Sequence, residues 1–381
     1  MKKEVKILKY SIEIGKIVEG ALNHDQVKVI NYTNQLILKL EEEEDRAANK
    51  FKKLLAAKSE TTLSAMNMNK GLNMPVDFES RMMLADIIYP NDNNIEVILS
   101  RSNLEKLQSF ILNYKNADKL NSLGIGVSNT LLLFGPPGCG KTKCAYLIAK
   151  ELQLPLVIAR LDSLISSYLG TTAKNIRTLF EFAQKTPCVV FLDEFDAIAK
   201  ARDDNNELGE LKRVVNSLLQ NVDSMSNDSL LLAATNHEQL LDSAVWRRFD
   251  FKLEIELPDS EAIIKMIDLF TCNTIALTNK DKQELATAFI GLSGANIEEI
   301  IKKAIRNAII QNKELSKIAF YDELYVFYKV LPQNCYDEKA LLKIKAHFLR
   351  EKEEKIFSYA VIANILGVSK TTVSKLLNEE E

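Results

Sequence analysis

No run of roughly eighteen consecutive apolar residues occurs anywhere in the sequence, so no helix that crosses a bilayer is expected. The N-terminus opens on lysines but meets Glu4 and Glu13 before an apolar stretch forms, unlike a secretory signal, and the cytoplasm is the expected location. Cysteine is sparse. The five, at 139, 144, 188, 272 and 335, show no C-x-x-C spacing, which argues against a zinc ribbon or a disulfide frame and for reduced thiols. The three histidines, His24, His237 and His347, are too scattered to suggest a metal cluster, and no H-E-x-x-H segment is present. Any proteolysis would have to come from another polypeptide. Neither sign of charge dominates: 49 Lys and Arg stand against 52 Asp and Glu, for a net −3. That balance argues against a chain whose main business is coating nucleic acid or anionic membrane, although local basic faces remain open.

What is present is a dense signal from Gly135 to Thr142, GPPGCGKT, directly after the apolar run Thr130 to Phe134 and directly before a helical pattern. Strand, glycine-rich turn, helix is the context that a phosphate-binding loop requires. In this reading Gly135, Pro136, Pro137, Gly138, Cys139 and Gly140 form a tight turn whose backbone N–H groups converge on phosphate oxygens. Lys141 supplies a point charge for the β and γ phosphates, and Thr142 offers its hydroxyl to a magnesium ion. The expected ligands are ATP and Mg2+.

A second signal begins at Cys188, where CVVFLDEFD reads as a buried strand ending in carboxylates, the form of a Walker B segment. Asp193, at the strand tip, is the expected magnesium ligand. Glu194 is the expected general base, orienting and deprotonating the attacking water. At the end of a later strand, Thr235 and Asn236 place a polar amide where it can meet the γ-phosphate or the water, and LLDSAVWRRFD follows from Leu240.

Along the chain, strand candidates at 131–134, 156–159, 189–192, 230–234 and 251–257 alternate with helical patterns at 141–152, 173–184 and 207–222. Alternation of this kind implies an α/β fold, a parallel sheet with helices on both faces, and ligands at the strands' C-terminal ends. Four regions are expected. Residues 1–74 are charged helices with a linker from Ser59 to Met74, and 75–258 form the α/β domain. Residues 259–331 form a smaller helical lobe, and 332–381 a C-terminal addition.

Together these motifs resemble the AAA clade of ATPases, the group that includes katanin, spastin and the bacterial membrane-bound AAA proteases, over roughly residues 95–330. The resemblance implies that Asn236 is the sensor 1 residue and that Arg247 and Arg248 act in trans on a neighbouring subunit's nucleotide. It further implies a homo-oligomeric ring of six subunits. Gly291 to Ile297 (GLSGANI) is similar to the family's GxSGADI segment, with Asn296 in place of Asp, which would set Gly294 and Ala295 against the adenosine. Tyr168 falls at the position of the first pore loop, where it would grip a threaded polypeptide substrate. Arg202, Asp203 and Asp204 fall at a second. A partner protease, an adaptor or a defence module is a further implied companion.

The tail holds a separate pattern. YAVIANILGVSKTTVSKLLN, from Tyr359 to Asn378, spells helix, tight turn at Gly367, helix, with Ser369 as a cap and Ala363, Val368 and Val373 spaced to hold the two helices together. DNA contact through 359–378 and protein docking are both open for it. From Asp337 to the final residue acidic and basic side chains are equal in number, and Glu379, Glu380 and Glu381 close the sequence.

Overall fold

The computed structural model describes residues 9–43, 45–59, 75–77, 83–89, 96–164, 169–197, 210–225, 229–272, 274–330 and 337–378. They fall into two compact units.

The first unit comprises Met1–Val97, Asn103–Gly135 and Lys141–Glu254. It is built on a six-stranded sheet: β1 (Ala85–Ile88), β2 (Thr130–Phe134), β3 (Leu156–Ala159), β4 (Val189–Leu192), β5 (Leu230–Thr235) and β6 (Phe251–Glu254), in the order β1-β3-β4-β5-β2-β6. The five strands from β3 to β6 are parallel, and β1 is an antiparallel edge strand on β3. Leu131, Leu132 and Leu133 are wholly buried, as are Val189, Val190 and Phe191 and Leu230, Leu231 and Leu232. Continuous rather than alternating apolar sequence is what a strand covered on both faces demands. β1 escaped the sequence reading because its four residues, ADII, are too few to show a period and carry a carboxylate, Asp86, among them. The helices Lys141–Leu152, Leu169–Lys185 and Glu210–Asp223 connect the parallel strands.

The N-terminal helices Ser11–Leu22, Gln26–Glu42 and Ala47–Ser59 belong to this unit. They fasten to it near the N-terminal ends of its strands: Asn31 donates to the carbonyl of Lys185 and to Thr186, just before β4. The Tyr10 N–H and the Ser11 hydroxyl both donate to Asp118, ahead of β2. The strand tips that carry the phosphate loop are at the opposite edge.

The second unit comprises Ile98–Ser102, Pro136–Gly140 and Ile255–Glu381, and apart from its short segments it is helical. Its first three helices start at side-chain caps. Asp259 accepts from the Ala262 N–H, Thr278 and Asp281 form a reciprocal capping box, and Ser293 accepts from the Asn296 N–H. One apolar core holds the lobe and the tail together: Phe289, Ile297, Ile300, Ile301, Tyr321 and Leu324 share it with Phe357, Ile362, Ile365 and Val373. At about 1.5–3 kcal/mol for each large side chain fully buried, the four tail residues bind the last helices firmly into the lobe.

Candidate nucleotide site

The phosphate loop leaves β2 at Gly135 and enters the helix at Lys141. Its turn uses left-handed backbone that side-chain-bearing residues resist: φ is +76° at Gly138 and +98° at Gly140. Lys141 is buried, and its Nζ donates to the Gly135 carbonyl at 2.7 Å, which holds the ammonium across the loop. Thr142, one residue into the helix, donates its hydroxyl to Asp193 Oδ2 at 2.8 Å.

That pair tests the fit of magnesium. Octahedral oxygens at 2.0–2.1 Å from the ion lie about 2.9 Å apart along an edge, so the Thr142 and Asp193 oxygens have the spacing of adjacent ligands. Among the described residues no cluster of three or more His, Cys, Asp or Glu could hold a metal by itself. A hydroxyl and one carboxylate with phosphate and water suit Mg2+ and no soft transition metal.

Sheet register brings the remaining tips to the same edge. β5 lies between β4 and β2, with Leu192 beside Ala233 and Phe134 beside Thr235. Gly135, Asp193 and Asn236 therefore follow the ends of three adjacent parallel strands, where ligands of such sheets bind. The chain then reverses at Glu194, whose φ is +51°, and this turn is tied to β5 by Phe195 N–H donating to the Ala234 carbonyl at 2.8 Å. Glu194 is exposed, and its own N–H donates to Asp193 Oδ1 at 2.9 Å. A glutamate in the left-handed region costs about 1–2 kcal/mol, and such strain persists where the surroundings enforce it.

Two residues of this apparatus carried no role in the sequence. The buried Asp196 accepts from the Thr235 hydroxyl at 3.1 Å, and that hydroxyl accepts from the His237 N–H at 3.0 Å. The link fixes the backbone on both sides of the half-buried Asn236. Asp196 follows the apolar strand at a spacing typical of any acidic turn, so no local signal distinguished it.

The two arginines part company. The helix Ser243–Trp246 is capped by Asp242, and Trp246 meets Phe134 edge-on at 5.3 Å. Arg248 then grips Asp223 at two points, Nε to Oδ1 at 3.1 Å and Nη2 to Oδ2 at 3.0 Å, and donates to the Ala244 carbonyl. Its partner is Asp223, not the nearer-in-sequence Asp242 or Asp250. Arg247 is exposed; its backbone N–H donates to the Ser243 carbonyl at 3.1 Å, but its guanidinium forms no hydrogen bond or ion pair among the described residues.

Within the second unit, the Ala295 N–H donates to the Gly138 carbonyl at 3.0 Å. Gly294 opens the helix Gly294–Ile310 one residue after its Ser293 cap. A side chain at Gly138 would lie 2.7 Å from Ser293 Oγ, so the loop and the GLSGANI segment are in backbone contact. Tyr168, Arg202, Asp203 and Asp204 lie outside the described residues.

Comparison with known proteins agrees with this arrangement. The family model "ATPase family associated with various cellular activities (AAA)" matches residues 131–257. An uncharacterized AAA family ATPase of Sinorhizobium fredii is 41% identical over 282 residues, covering 74% of this chain and 84% of that protein. The chain belongs to the AAA ATPase family. This AAA ATPase is also similar to a putative 26S proteasome regulatory subunit homolog of Methanocaldococcus jannaschii, 31% identical over 57% of this chain and 59% of that protein. A chloroplastic ATP-dependent zinc metalloprotease FTSH of Nicotiana tabacum is 34% identical over 58% of the chain, which spans 32% of that protein. The fold matches the FIGL-1 AAA domain, solved in complex with ADP, with a TM-score of 0.54 at 24% identity, over 70% of this chain and 92% of that one. The protein hydrolyses ATP, with Mg2+ as the family's standard cofactor. Members of the family typically form homo-oligomeric rings.

Proposed function

We propose that this AAA ATPase works as a homo-oligomeric ring of six subunits that couples ATP hydrolysis to the unfolding of polypeptides drawn through a central pore. The observation that carries the ring reading is the contrast between neighbouring guanidinium groups: that of Arg248 is clamped by Asp223, whereas that of Arg247 is exposed with no partner among the described residues. An arginine held out from its own chain suits the nucleotide of another. In trans it would stabilise charge on the transferring phosphoryl group, an effect worth about 10³ to 10⁵ in rate.

In this reading Lys141 and the N–H groups of Gly138, Cys139 and Gly140 bind the phosphates, with Pro136 and Pro137, which have no N–H, shaping the turn, and Thr142 and Asp193 would hold the magnesium ion. When bound, the ion neutralises charge developing on the phosphate oxygens. Glu194 takes the proton of the attacking water, and the strain in its backbone holds the carboxylate clear of the sheet. Asn236, braced by Thr235 and Asp196, reports the γ-phosphate. Gly294 and Ala295 line the adenosine. Tyr168 contacts the polypeptide, with Arg202, Asp203 and Asp204 in a second pore loop. A protease or adaptor on another polypeptide would receive the product, since this chain has no metalloprotease motif of its own.

Replacing Tyr168 by Ala tests the threading step. ATPase activity should persist while unfolding of a tagged reporter protein is lost; unfolding that proceeds at the normal rate would remove the pore from the account. A Glu194→Gln chain should hold ATP, the ring and the client together, so that the client can be recovered and identified.

A further inference from the structure

We infer that the last two helices form a docking surface for duplex DNA. The inference stands apart from the ring reading, because it rests on residues outside the nucleotide site.

The helices Tyr359–Leu366 and Lys370–Asn378 are bent by 107° at the turn Gly367 to Ser369. Gly367 makes that turn with φ +68°, and its neighbour Val368 donates to the Ala363 carbonyl at 3.0 Å, which closes the first helix. Ser369 starts the second by accepting from the Thr372 N–H at 3.0 Å. An angle near a right angle, a three-residue turn and a capped second helix are the geometry with which a helix is presented to a major groove. The preceding helix Glu338–Lys352 packs against both, completing a three-helix unit.

The second helix is rigidly seated, as a reading helix must be. Val373 is buried in the shared core and Leu376 is buried as well, while Lys370, Thr371, Lys375 and Asn378 are exposed. Thr371, Lys375 and Asn378, four and three residues apart, make one stripe.

Charge and polarity choose the occupant. From Lys355 to Asn378 the sequence carries three lysines and no carboxylate, within a chain whose net charge is −3. Glu379 to Glu381 follow the stretch and oppose phosphate binding, so the attraction comes from the helix face itself. A protein-docking face would be expected to offer an apolar centre. Among the described residues none of the exposed large apolar side chains lies on Lys370–Asn378, whose outer face is ammonium, hydroxyl and amide. Those groups hydrogen-bond phosphates and base edges.

The test uses the full chain and a fluorescein-labelled mixed-sequence DNA duplex, read by anisotropy as salt rises from roughly 50 to 200 mM. Binding is expected at low salt and should weaken steadily. The variant Lys370→Ala/Lys375→Ala should bind about tenfold more weakly or less still, with the slope of log affinity on log salt reduced by about two. Lys370→Arg/Lys375→Arg should restore both. A control of equal charge change on the helical lobe, Lys265→Ala/Lys302→Ala, should leave both values alone. An unchanged ATPase rate confirms that each variant is folded. Failure of the full chain to bind, unchanged binding in the double alanine variant, or equal loss in the control overturns the inference.

Discussion

The Ala295 N–H donates to the Gly138 carbonyl at 3.0 Å, so the phosphate loop and the GLSGANI segment touch through backbone, with no room for a side chain between them. A methyl on Gly138 would sit 2.7 Å from Ser293 Oγ and 3.0 Å from Ala295 Cβ, on a residue whose φ is +76°. Gly124 offers the matching control: its φ is +71° and no atom of the described residues lies within 4 Å of an added Cβ. Both alanine variants incur the left-handed penalty of about 1–2 kcal/mol, but only Gly138→Ala adds a collision. Thermal melting should show the larger loss for Gly138→Ala, and titration calorimetry should show weaker ATP binding for that variant alone. Equal melting temperatures would mean that Ser293 yields freely.

Glu194 combines chemistry with strain. Its carboxylate is proposed as the base, so Glu194→Gln should lower the ATPase rate by about 10² to 10⁴ while leaving ATP affinity intact. Its φ of +51° makes the backbone unfavourable for any side chain of that kind. Glu194→Gly should therefore be equally inactive yet as stable as the parent, or more stable by up to about 1 kcal/mol, once glycine's entropy loss is subtracted. A Glu194→Gly chain that melts well below the parent would show that the turn is not strained.

The adjacent arginines should separate in two assays. Arg248→Ala should lower the melting temperature, and so should Asp223→Ala, with the double variant no worse than either, because the two side chains hold one another. Arg247→Ala should leave melting unchanged and abolish most ATP hydrolysis. Mixing Arg247→Ala subunits with Lys141→Ala subunits should return part of the activity, where an intact arginine of one faces an intact loop of the other. A mixture as inactive as its components would count against catalysis between subunits.

Stability should decline in alkali. Burial pushes the Cys188 thiol from 9.0 up to about 12. Burial likewise raises Cys144 to about 12 against the opposing charge of Lys141. The phenols of Tyr321 and Tyr325 are also raised by burial. In each case the folded chain keeps a proton that the unfolded chain releases. The stabilisation is complete below the unfolded value and is lost as pH rises through the folded one. Melting temperature should fall from about pH 9 upward, and Cys188→Ala should flatten the first part of that fall. A decline of the same slope in the variant would assign it to other groups. The buried Tyr325 hydroxyl has no hydrogen-bond partner among the described residues, so Tyr325→Phe should be neutral or stabilising at pH 7.

Much of the site could be read without coordinates because its chemistry depends on chain neighbours. A glycine-rich turn between strand and helix, followed at once by Lys141 and Thr142, is a local object, and so is an apolar strand ending in Asp193 and Glu194. Four of the five parallel strands were legible for a related reason: burial on both faces makes β2, β3, β4 and β5 short apolar runs, whereas β6, FKLE at the sheet edge, shows only as alternation. The helix ends at 141 and 152 follow from loop and periodicity alone.

What the sequence by itself determined, then, is the identity of the groups and the parallel α/β frame, since propensity, turn chemistry and burial act over a few residues. Only the tertiary structure decided which groups meet. It set Thr142 2.8 Å from Asp193, gave Arg248 to Asp223 while leaving Arg247 exposed, braced Asn236 through Asp196 and Thr235, and merged the tail with the helical lobe in one core. These pairings join residues far apart along the chain, and they come from sheet order and side-chain packing, neither of which leaves a mark at any single position.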